Sequence, residues 1–176
     1  MSSAAPHPLI ERWSTWPQLL FHQAGWWACV IWMGWLGPMV MLAFLAAHLT
    51  FTRRRIRQEL VIITAATLTG IALDSALAIT GAVSYVGELK VWAAPLWLVS
   101  IWAGFGATLM HSQSVLVRSR TIAVLTGLLG GPAAYWGGER LSRMTVQPEI
   151  GWMAVSATWT IALLLLCEIS LHLRAN

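Results

Sequence analysis

Asp74, in the run Gly70-Ile71-Ala72-Leu73-Asp74-Ser75, is an acidic side chain well inside a long apolar stretch. An ionised carboxylate facing hydrocarbon would be costly, so Asp74 must face protein, a wet cavity or a partner, or else hold a proton. A carboxyl group so placed can act as a general acid or base, anchor a substrate, or serve as a structural hydrogen-bond acceptor or ion-pair partner. Thr67, Gly70, Asp74, Ala78 and Gly81 recur at three- and four-residue spacing, which gives a small, polar helical face suited to burial. By depth, Asp74 is level with the end of a later glycine-rich segment. Tyr135 and Arg140 are therefore its expected partners, and Trp97 is expected to complete a candidate pocket.

Histidines supply the second set. His22, His48, His111 and His172 all map to the same end of their apolar segments, and His111 shares a helical face with Trp97, Ser100, Gly104 and Thr108. Two such imidazoles on facing helices could ligate a haem b, and three could hold a metal ion. No segment carries a His-x-x-x-His or Glu-x-x-His pair, however, so no resident metal or cofactor is expected, and haem b stands as the alternative. His22, His48 and His111 remain candidates for a ligand or polar site. Glu168 and His172, four residues apart, read as a solvated pair at the segment end. Cys29 and Cys167 lie alone in apolar runs and are expected to be unpaired core residues.

The elements that must position these side chains follow from composition. In 176 residues, 57% are hydrophobic and only 10% charged, and the mean hydropathy is +0.66. Such a chain has too little polar surface for a soluble domain and reads as an all-α, polytopic transmembrane bundle forming a single domain. About six segments approach the ~20 residues needed to cross a bilayer: 17–35, 36–51, 59–82, 92–117, 121–137 and 150–171. The first two are expected to form a tight hairpin around Gly37-Pro38. The fifth carries Gly127, Gly131 and Ala134 on one face, and Gly131-Pro132 should free a backbone carbonyl for another group to satisfy. This helix is expected to sit centrally. Met1 to Trp16 lacks the pattern of a signal peptide and reads as a short cytoplasmic or interfacial lead-in.

Arg53-Arg54-Arg55-Ile56-Arg57 sets the orientation. With both termini cytoplasmic, the cytoplasmic segments hold Arg12, Arg53, Arg54, Arg55, Arg57, Arg118, Arg120 and Arg174, eight of the 11 basic residues, and the other side holds Lys90, Arg140 and Arg143. That bias obeys the positive-inside rule. The net charge of +4 is then explained by topology and anionic lipid, so nucleic-acid binding is not expected. Most of the 12 tryptophans fall near the expected membrane boundaries, as an aromatic belt.

Gly25-Trp26-Trp27-Ala28-Cys29, Ala47-His48, Leu73-Asp74-Ser75, Ala94-Pro95-Leu96-Trp97-Leu98, His111-Ser112 and the run Gly130 to Gly138 together resemble a bacterial domain-of-unknown-function family (the 2878 type) of small, tryptophan-containing inner-membrane proteins. The resemblance implies an association with lipid-modifying enzymes and a setting among membrane lipids, and it carries no catalytic signature. The expectation is thus an inner-membrane bundle handling an apolar molecule, such as an acyl chain or isoprenoid, at a pocket around Asp74, Trp97, Tyr135 and Arg140. A haem or metal redox protein built on the histidines and a small proton- or ion-coupled transporter are the alternatives, and whether the chain is an enzyme is left open.

Overall fold

The computed structural model describes residues 16–175. The lead-in with Arg12 and Trp13 lies outside that range. The chain is mostly helical, as expected: α1 (Trp16–Ile31), α2 (Leu36–Phe51), α3 (Ile56–Ile79), α4 (Leu96–Leu109), α5 (Ser114–Arg118), α6 (Arg120–Leu125), α7 (Gly131–Arg140) and α8 (Ile150–Ala175). The basic run forms a short 3-10 turn at Arg53–Arg55 that leads directly into α3. Two of these rods, Arg53–Ile79 and Ile150–Ala175, are long and apolar enough to cross a membrane.

Glycines set the close approaches. At Gly37, a Cβ would lie 2.6 Å from both Cys29 Cα and Trp32 O, so only glycine lets α2 turn back tightly against α1. Pro38 fits the first turn of α2, where its missing N–H has no intrahelical acceptor. Along the α3–α4 seam, Trp102 covers Gly70, and a Cβ on Gly106 would lie 2.8 Å from Ala66 Cβ.

The fourth and fifth segments differ from expectation. The helix begun at Leu96 ends at Leu109, shorter than the expected 92–117, and a turn separates it from α5. Pro95 is its N-cap, in extended conformation, because proline has no N–H to donate and restricts the residue before it. Of the 14 residues of α4, 11 are buried, and it packs against α1, α2 and α3. It is therefore α4, not the glycine-rich helix, that lies at the centre. The glycine-rich segment lies at the side, where a Cβ at Gly127 would fall 2.5 Å from Thr160 Cα of α8 and Gly131 is covered by Trp159. Pro132 interrupts the ladder there, and a π-type turn at Thr126–Gly130 joins α6 to α7. The Leu128 carbonyl accepts the Ser156 hydroxyl at 3.3 Å, which is the external satisfaction that a proline-broken helix requires.

Short strands appear in the connectors, which the hydropathy pattern does not reveal. β1 (Val83–Tyr85) pairs antiparallel with β4 (Met144–Val146), placing Tyr85 opposite Met144, and β2 (Lys90–Val91) pairs with β3 (Ala94–Pro95). Gly81, at φ +75°, ends α3 and allows the chain to turn into β1.

The outward faces carry Leu20, Phe21, Met39, Leu42, Leu68, Leu129, Met153 and Ile161, all more than half exposed. The interior, by contrast, holds Gln18, His22, His48, Glu59 and Asp74, each no more than 5% exposed. Around these polar groups the core is apolar, with Met41, Ile62, Trp97, Leu109, Leu163 and Leu166 fully buried.

Candidate functional site

α3 supplies a carboxylate at each end. Its buried ridge is Glu59, Ile62, Ala66, Gly70, Asp74 and Leu77, so Glu59 and Asp74 face inward on one side of one helix. Fifteen residues at 1.5 Å per residue separate them by roughly 22 Å.

Asp74 is closed in by donors. Its Oδ1 accepts the Tyr85 hydroxyl at 3.0 Å and also the Tyr135 hydroxyl, and its Oδ2 accepts the Trp102 indole N–H at 2.7 Å. The two phenol oxygens are 3.2 Å apart. Burial, with Tyr135 and the carboxylate beside it, pushes the Tyr85 phenol well up, so Tyr85 keeps its proton to donate. Tyr85 was not legible as a partner because the β1–β4 pairing that swings it over α3 has no sequence signal of its own. Trp97 is buried nearby and donates its indole N–H to Val86 O at 2.8 Å. Arg140 is not part of the cluster: it is exposed, its guanidinium 5.2 Å from the Trp136 ring centroid. Trp97 and Tyr135, with Trp26, Ile101, Met144 and Trp159, border a cavity of about 40 Å³. That is space on the scale of one or two waters, too little for an acyl chain.

The other carboxylate gathers the histidines. Glu59 lies in the first turn of α3, where the helix dipole favours an anion. Its Oε2 is 3.0 Å from His48 Nε2, and its Oε1 is 2.8 Å from His111 Nε2. His48 is fully buried, whereas His111, in the turn after α4, is 14% exposed and opens the cluster to the surface. The candidate ligand atoms of His48, Glu59 and His111 all lie within 4.8 Å of one another. Arg174 donates to Met110 O at 3.1 Å, which sets a cation beside this opening.

Gln18, on α1, completes the group. Its Oε1 accepts Ser112 N–H at 3.0 Å, and its Nε2 donates to Ala107 O at 3.0 Å and lies 3.1 Å from His48 Nδ1. His22, one turn further along α1, is buried with its ring edge against Phe44 at a centroid distance of 5.8 Å. Neither of its ring nitrogens has a hydrogen-bond partner among the described residues. Of the expected inner-half set, His48 and His111 are thus brought together and His22 lies a turn away. Glu168 ion-pairs with Arg120 at the surface.

Sequence reasoning missed Glu59 and Gln18. Both lie at expected segment ends, where a polar residue is ordinary. The available signal was the spacing of Glu59 from Asp74, close to four helical turns, which puts the two on one face.

A family model matches residues 15–165. The chain belongs to the family described as Protein of unknown function (DUF2878). No curated protein and no solved structure matches it.

Proposed function

We propose that this DUF2878 protein is a multi-pass inner-membrane protein, with both termini cytoplasmic, that exchanges protons through a buried acid–base centre formed by His48, Glu59 and His111. One observation carries the reading: a buried carboxylate shared by two imidazoles, one sealed inside and one open to the surface. A carboxylate between two histidines can accept or release a proton with little rearrangement, and His111 offers the way in. His22 lies about 6 Å further along α1, one helical turn beyond Gln18. Asp74, with its tyrosine donors, is the corresponding acidic group near the far end of the same helix. The positive-inside count and the apolar exterior support the topology.

Proteoliposomes under an imposed pH gradient, with valinomycin clamping the potential and a pH dye inside, test this directly. Wild-type protein should dissipate the gradient at least 10-fold faster than empty vesicles, and Glu59→Gln should return the rate to that of lipid alone. Wild-type vesicles as tight as empty ones would sink the reading. A divalent-metal site is the second reading, favoured by the clustering of the three potential ligands within 4.8 Å.

A further inference from the structure

The choice between proton and metal turns on Gln18. Its side chain is fully buried, and its two backbone partners cannot exchange roles: Ser112 N–H can only donate and Ala107 O can only accept. The amide is therefore held with its oxygen toward Ser112 and its NH2 toward Ala107, and the second N–H of that NH2 points at His48 Nδ1. Nδ1 must then be the acceptor. The His48 proton sits on Nε2, which donates to Glu59 Oε2.

We infer that Gln18 is the specificity-determining residue of this cluster, fixing His48 as an Nε2–H donor to Glu59, so that the proton is exchanged between Glu59 and His111, and opposing the His48 tautomer that a divalent metal ion would need. The inference rests on the proton-site reading of His48, Glu59 and His111 and explains its selectivity. A metal ion bound by His48 Nε2 needs that lone pair, which sends the proton to Nδ1, where it would meet the Gln18 N–H head on. Metal-binding histidines normally find an acceptor behind the ring, a carboxylate or carbonyl that takes the distal N–H. Here the group behind the ring is a donor. Turning the amide over would relieve that opposition only by setting its NH2 against Ser112 N–H and its oxygen against Ala107 O.

Replacing this donor should invert the preference. In Gln18→Glu, a protonated carboxyl can donate its O–H to Ala107 O while the same oxygen accepts Nδ1–H from His48, and the other oxygen still accepts Ser112 N–H. Nitrogen-15 spectra of histidine-labelled protein in detergent read the tautomer, with His48 identified by its loss in His48→Asn. Cobalt(II) titration, followed by visible absorption, reads the metal. The wild type should show a bare Nδ1 and a protonated Nε2 at His48 and take up no cobalt at micromolar concentration. Gln18→Glu should bind cobalt at least 10-fold more tightly than the wild type, and the double variant Gln18→Glu/His111→Asn should lose that gain. A protonated Nδ1 in the wild type, or stoichiometric cobalt bound by the wild type and lost in Glu59→Gln, would overturn the inference. So would monodisperse Gln18→Glu with no gain in cobalt affinity. If Gln18→Glu does not fold, the two wild-type measurements still decide. The vesicle assay is separate: tight wild-type vesicles would refute proton exchange and leave the tautomer result intact.

Discussion

At the scale of single residues, the two carboxylates of α3 solve the burial problem differently. Asp74 is met by three neutral donors, two phenols and an indole, and these spread its charge without a cation. Glu59 is met by two imidazoles, one sealed inside and one reaching the surface. The first arrangement fixes geometry, whereas the second can pass a proton along. Tyr135→Phe should therefore act on stability and leave the proton centre intact. Losing one donor to a buried carboxylate costs about 1–3 kcal/mol, read as a lower midpoint in detergent thermal unfolding, while the vesicle proton rate should stay within twofold of wild type. A large drop in rate with unchanged stability would instead make the Asp74 cluster part of the proton route. The Asp74–Tyr135 contact was legible because both residues lie at the same expected depth. Tyr85 and Glu59 were not, since one depends on strand pairing and the other looked like a boundary residue.

At the scale of elements, the inner cluster is assembled from four pieces of chain: α1 brings Gln18, α2 His48, α3 Glu59, and the turn after α4 His111. Its precision depends on how closely those pieces approach, and in the α1–α2 hairpin Gly37 lies directly against the Cys29 backbone. A methyl group placed there meets the backbone of Ala28, Cys29 and Trp32, and backbone cannot move aside as a flexible side chain can. Gly37→Ala should splay the hairpin and separate Gln18 from His48. Overpacking of this kind costs about 1–3 kcal/mol, and the variant should also lose the fixed His48 tautomer in the nitrogen-15 spectrum. Retention of both stability and tautomer would show that the hairpin tolerates the methyl group and does not set the cluster. A milder case is Ser156→Ala, which removes the donor to the Leu128 carbonyl freed by Pro132. Its expected cost is about 1 kcal/mol in thermal unfolding, and an unchanged midpoint would mean that the carbonyl finds another donor.

At the scale of the whole molecule, hydropathy made the helical class and the rough segment order readable, because long apolar runs with helical periodicity need no partner to be recognised. The second segment, Leu36–Phe51, agrees with the sequence reading at both ends, bounded by a turn and by the arginine run. Which helix lies at the centre was less accessible. Small residues mark close approach, but Gly127 and Gly131 serve a pairwise contact with α8, whereas the centrality of α4 comes from being packed on several sides, a property of the assembly that no local pattern encodes. The arginine run between α2 and α3 is the one feature that acts on the entire bundle. It lies at the same end as Glu59, so the side on which the arginines are retained is also the side from which His111 is reached. If the positive-inside rule governs insertion, a C-terminal alkaline phosphatase fusion should be inactive and the matching green fluorescent protein fusion bright. Neutralising Arg53, Arg54, Arg55 and Arg57 together should raise phosphatase activity severalfold as part of the population inserts inverted. In vesicles sorted for that inverted population, proton uptake should depend on the pH of the opposite compartment, because the opening at His111 will have moved with the arginines. An active phosphatase fusion on the unmutated chain would reverse the orientation and place the Glu59 cluster on the outer face.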